Sequence, residues 1–146
     1  MHPTKKLEII SRMAKDLRQE DREEVCAACD IKNTLPNIRA SLRYSVSISP
    51  HCHFFIVNNN PLAVLGLVPQ PDGRAVIWML ACNGIEHHIG DWMRWFVKYW
   101  DAYKNKYIQL YNAAYAKNET HIELIKRLNC RIGDICPRGF IPFWSN

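Results

Sequence analysis

The chain has 146 residues, enough for one ordinary domain that buries its own core without disulfide or metal staples. Apolar residues at 48% and charged residues at 23% exclude disordered and fibrous classes, and the net charge of +5 is spread out with no nucleic-acid-binding motif beside it. The longest apolar runs, Pro61–Pro69 and Ala75–Cys82, are strand-sized, and the opening MHPTKKLEIISRMAKD turns charged before a signal-like core forms, so the expectation is a non-membrane protein that stays in the cytoplasm.

Leu7, Ile10, Ala14 and Leu17 recur at helical spacing, which predicts an amphipathic first helix, with an edge strand around Leu7–Ile10 as the competing reading. Asp21 followed by Glu24 resembles a helix start, an aspartate cap with a glutamate three residues on. A short helix over Pro36–Arg43 follows Thr34. Residues 1–45 thus read as helical packing material. From His51 the period changes. HCHFFIV, LAVLGLV and AVIWMLAC have strand length and β-type residues, and Asn58–Pro61 and Pro69–Arg74 between them are turn chemistry, so residues 51–82 read as an antiparallel meander with its third strand central.

After Asn83-Gly84, DWMRWFVKYWDAY places Trp92, Trp95 or Phe96, Tyr99 and Tyr103 on one stripe of a helix, a pattern expected of a helix packed on a sheet. YIQLYNAAY reads as a strand, and Asn118 caps a helix whose Ile122, Ile125 and Leu128 face inward. Residues 83–128 form this loop, helix, strand, helix unit. The tail, residues 130–146, supplies two short strands around Pro137–Gly139, and Phe140, Phe143 and Trp144 are expected to close the sheet, with contact to a second subunit as the alternative. One domain of class α/β (α+β) follows, a mixed but mostly antiparallel twisted sheet flanked by helices.

Six cysteines in an unsecreted chain read as free thiols. Cys26 and Cys29 form a CxxC on the apolar side of a helix, and Cys52, Cys82, Cys130 and Cys136 offer no second ligand pair, so no metal site is expected. The loop NGIEHHIGDW ahead of the aromatic helix is a candidate anion site, because free amides and the positive end of a helix dipole favour a phosphate.

The series RQEDREEV, SLRYS, PLAVLGLVP, IWMLACNGIEHH, LYNAAYAKNETHIELIKRLNCRI and the closing GFIPFW resembles small GNAT-like, N-acetyltransferase-fold proteins of tailed phages, including the internal virion protein A family of T7-like phages. The resemblance runs over roughly residues 18–146. It implies a GNAT sheet, with acyl-CoA bound where the fourth strand of that fold splays from the fifth and its pyrophosphate held by the loop before the following helix. On that pattern His87, His88 and Gly90 are the candidate phosphate-binding residues and Asn118 the contact to the pantetheine arm. Glu86, His121 and Tyr111 are the candidate acid and base groups.

Several positions depart from the enzyme pattern. Trp92 stands where a small loop residue lets the backbone approach a phosphate, Asp91 adds a negative charge, Ile125 takes the place of the acid tyrosine, and AVIWMLAC holds no carboxylate. Three functions follow from the resemblance. The first is a GNAT-fold phage protein that binds virion proteins as an accessory or internal virion component, found in the infected host cell or the virion interior. The others are an acetyl-CoA-dependent N-acetyltransferase and an inhibitor of a host protein, either an enzyme or a defence system.

Overall fold

The computed structural model describes residues 1–146. Three helices come first: α1 (Pro3–Asp16), α2 (Gln19–Cys29) and α3 (Leu35–Ser47). Strands β1 (His51–Val57), β2 (Asn60–Pro69) and β3 (Ala75–Ala81) form the meander. A single 3-10 turn, Ile85–His88, leads into α4 (Ile89–Lys106), then β4 (Leu110–Tyr115), α5 (Glu119–Arg127), β5 (Arg131–Ile132) and β6 (Phe140–Trp144). The six strands make one sheet in the order β1-β2-β3-β4-β6-β5, antiparallel throughout except for the pairing of β3 with β4. No helix is long and apolar enough to cross a membrane.

Local chemistry explains most boundaries. Pro3 occupies the first turn of α1, where its missing N–H costs nothing. Thr34 caps α3 by accepting from Asn37, and Asn118 caps α5 by accepting from His121. The turn between β1 and β2 needs left-handed backbone at Asn58 and Asn59, φ +50° and +64°, which asparagine tolerates better than other side-chain-bearing residues. Gly66 has a different reason. It lies opposite Trp78 in the β2–β3 register, and the indole folds flat over it, so a Cβ there would collide with the ring. The indole Nε1 donates to Ser49 Oγ at 2.8 Å.

The sheet separates two apolar layers. On one face α4 and α5 bury Trp92, Phe96, Trp100 and Ile125 against Leu65, Leu67, Ile77 and Phe143. On the other, α1 and α3 bury Ile10, Met13, Ile38 and Leu42 against Val64, Leu80 and Cys82. Trp95 and Tyr99 flank the α4 stripe and do not lie at its centre. Phe143 is buried on β6, between β4 and β5, so the tail does close the sheet.

Residues Leu7–Ile10 are helical, as the spacing predicts, and the competing edge strand does not form. Two expectations change. The third helix extends beyond Arg43 to Ser47. Asp21 is not a cap, because α2 begins at Gln19 and the Asp21 side chain is spent on a distant strand. Cys29 also differs from its expected apolar placement: it is exposed beside Ser41 at 3.6 Å.

Candidate functional site

Strands β3 and β4 pair only at Ala75–Leu110 and Val76–Tyr111. Just beyond, Asn112 inserts its side-chain amide and donates to the Ile77 carbonyl at 2.7 Å, and from there the strands diverge. Splaying two parallel strands exposes backbone donors and acceptors that each strand would have offered the other, and buried backbone groups demand partners. In this chain Asn112 also accepts from Ala113 N–H at 2.8 Å, and the partners of Ala81 and the Tyr115 amide come from the N-terminal third.

The joint between α1 and α2 lies along the open edge of β3. Leu17 forms an isolated bridge with Cys82, Arg18 N–H donates to the Ala81 carbonyl at 3.0 Å, and Asn83 N–H donates to the Asp16 carbonyl at 2.9 Å. One turn into α2, Asp21 accepts from Ala81 N–H at 2.8 Å with one carboxylate oxygen and from the Asn118 amide at 2.7 Å with the other. Glu24, three residues on and so on the same helix face, accepts from Tyr115 N–H at 2.6 Å and from His121 Nδ1 at 3.0 Å. Asp21 and Glu24 are the buried residues of α2, so the inward face of this helix is acidic.

Burial raises the Asp21 carboxyl above its ordinary value, against the opposing pull of Arg18, whose guanidinium lies 3.8 Å away. For His121 burial alone would lower the imidazole. The hydrogen bond to Glu24, with the charges of Glu24 and Asp21, outweighs burial and raises it. Nδ1 is committed to Glu24, and Nε2 has no protein partner. A cavity of about 160 Å³ adjoins the pair, lined by Trp78, Met79, Asn112, Ser45 and Phe140.

The loop before α4 turns at Gly84, φ +97°, a conformation that favours glycine. Glu86 folds back so that its carboxylate accepts from Gly84 N–H at 3.0 Å, and bonds to its own amide and to that of Gly84 hold the acid below its ordinary value. His87 is exposed, His88 sits at the N-cap of α4, and a Cβ at Gly90 would meet only Arg94. Asp91 pairs with Arg94 in the first turn of the helix. Behind this loop, His87, His88, Arg12, Asp16, Asn58 and Asn83 line a polar hollow of about 380 Å³, on the α1 side.

The candidate residues thus fall into three places. Asn118 and His121 meet inside the splay. Glu86, His87, His88 and Gly90 lie on the loop at its open end. Tyr111 lies at the closed end, paired with Val76 and covered by the Arg74 guanidinium at 4.3 Å. Sequence reasoning missed Arg18, Asp21 and Glu24. Their signal was a polar pair three apart, Asp21 and Glu24, matched by a second, Asn118 and His121, on a later helix.

Acyl-CoA fits these residues poorly. Both backbone groups of Ala81 and the Tyr115 amide are already bonded, the Asn118 side chain is spent on Asp21 and on His121 N–H, and the Gly84 amide serves Glu86. Glu86 also sets a carboxylate on the loop that would hold a polyanionic cofactor, where like charge disfavours it, while Asp21 and Glu24 are paired with Arg18 and His121.

No family model matches the chain, and no curated protein matches it either. Solved structures do. An acetyltransferase from Thermus thermophilus is 14% identical with a TM-score of 0.69, covering 97% of this chain and 90% of that one. The GNAT domain of S. lividans PAT is 8% identical with a TM-score of 0.68, covering 97% and 85%. The aminoglycoside acetyltransferase AAC(6')-Ib, in complex with ribostamycin and coenzyme A, is 11% identical with a TM-score of 0.69, covering 96% and 89%. At such identities the likeness is one of architecture: the chain is a single α/β domain with the fold of GNAT acetyltransferases.

Proposed function

We propose that this chain uses the GNAT fold as a scaffold, does not bind acyl-CoA, and acts by binding another protein as a phage accessory or internal virion component. The observation that supports the first part is the partly filled splay, where Arg18, Asp21 and Glu24 take both backbone groups of Ala81 and the Tyr115 amide, bonds that a ligand entering at that end of β3 and β4 would have to displace. The phage setting and the protein partner rest on the sequence resemblance. Calorimetric titration with acetyl-CoA tests the reading. No heat of binding at millimolar cofactor is the expected result, and micromolar affinity overturns it. Mass spectrometry of purified particles addresses the virion component separately, and its absence there removes that role.

One observation favours a second reading, that of a transferase. His121 is oriented by Glu24, its Nε2 is unpartnered, and a cavity lies beside it, which is how a general base is commonly arranged. On that reading, acetyl-CoA binds and turnover disappears in His121→Ala.

A further inference from the structure

We propose that the free edge of β1 is a docking site for an extended acidic peptide segment of a partner protein, which adds to the sheet as a seventh strand. This rests on the protein-binding reading above and names the chemistry of the partner.

Position in the sheet comes first. β1 is the outermost strand on its side, paired with β2 alone. Cys82 N–H donates to Leu62, so the even-numbered residues of β2 serve β3 and Ala63, Leu65 and Leu67 serve β1. Their partners Phe55, His53 and His51 are thereby satisfied, and the N–H and C=O groups of Cys52 and Phe54 point away from the sheet. Natural edges of this length are usually blunted by lysine, proline, an inward charge or a bulge; HCHFFIV has none of the first three, and its register shift between Phe55 and Ile56 leaves Cys52 and Phe54 on the regular part of the strand.

What flanks the edge gives the partner its character. On the α4 side Trp95, Tyr99, Tyr103 and Tyr107 form a ladder one helical turn apart. His53 stacks on Tyr99 with centroids 3.9 Å apart and bonds the Tyr103 hydroxyl at 2.6 Å. Alternate side chains of an added strand would land on this aromatic surface, of which Trp95, Tyr99 and Tyr107 are half-buried and Tyr103 is buried. The charges beside it are cations. Lys98 lies over the Tyr99 ring and Lys106 over Tyr107, and the His53 imidazole is depressed first by burial and then by the charges of His51 and Lys98. Lys6 on α1 approaches Cys52 from the opposite face, and Arg12 bonds the β1–β2 turn at Asn59 and Asn60. The acid at the start of α4, Asp91, is paired with Arg94. An edge of free backbone groups between cationic flanks selects an extended chain with acidic side chains.

The test uses the full chain and a short peptide of alternating valine and glutamate, with titration read by NMR amide exchange and fluorescence anisotropy. Expected are saturable binding, slowed exchange at the Cys52 and Phe54 amides, and a loss of affinity of about tenfold or more on Lys98→Glu. Phe54→Pro removes one outward N–H and should abolish binding with the fold retained by circular dichroism. Should that variant unfold, Tyr99→Ala must weaken the peptide instead. A lysine–valine peptide that binds equally well, an oligothymidylate that binds more tightly, or self-association through β1 that leaves no edge for the peptide would each overturn the proposal. Acetyl-CoA binding would sink the non-enzymatic reading without touching the edge. An edge indifferent to the peptide fails alone, while the cofactor titration stays silent.

Discussion

At the scale of single residues, the Glu24–His121 pair predicts a pH dependence whose sign follows from the raised imidazole. The stabilisation is complete below the ordinary histidine value of 6.5 and is lost as pH rises through the higher folded value. Asp21 acts in the same direction, since an acid raised by burial makes the fold less favourable as it ionises. Thermal melts taken upward from pH 6 should therefore show a falling Tm, and the slope should flatten in His121→Gln. Glu24→Ala removes the partner of a buried cation and orphans Tyr115 N–H, at a cost of about 3–5 kcal/mol. The corresponding drop in Tm is roughly 6–20 °C for a domain of this size. Glu24→Gln, which keeps an acceptor, should lose less.

At the scale of elements, Gly66 and Trp78 form a lock between β2 and β3. Gly66→Ala forces the indole off its seat and should destabilise by about 1–3 kcal/mol, the usual range for overpacking. In a Trp78→Leu background the same substitution should be nearly neutral, and a double-mutant cycle by urea unfolding measures the difference. Elements whose causes are local were legible in the sequence. Thr34 and Asn118 cap their helices by accepting from amides three residues on, and the asparagine turn separates two strands of β-type residues. Asp21 misled for the opposite reason. Its spacing to Glu24 mimics a capping box, yet its carboxylate serves Ala81, 60 residues along the chain. Nothing within a helical turn of Asp21 records that demand. The resemblance located the splay and two of its polar residues, Asn118 and His121. The acids that meet them come from a helix whose weak apolar pattern gave no reason to turn its charges inward.

For the whole molecule, the sheet is a partition with one apolar layer on each side, and the layer under α1 is the smaller. Met13, wholly buried there, should cost about 2–5 kcal/mol when truncated to alanine, lowering the urea midpoint without changing the slope of the transition. The ends of α1 serve different purposes: Arg12 reaches the β1–β2 turn, and the residues just after the helix follow β3 into the splay. The N-terminal third is thus both a cover for the core and the occupant of the opening between β3 and β4.

That occupancy has a temporal side. The bonds from Asp21 to Asn118 and from Glu24 to Tyr115 close loops of 97 and 91 residues, among the longest in the chain. Contacts of such separation form late, because the intervening chain must be ordered before they return any stability. The meander and the α4 layer can assemble first, and α2 is seated last. Substitutions at Asp21 or Glu24 should accordingly speed unfolding and leave the folding rate almost unchanged.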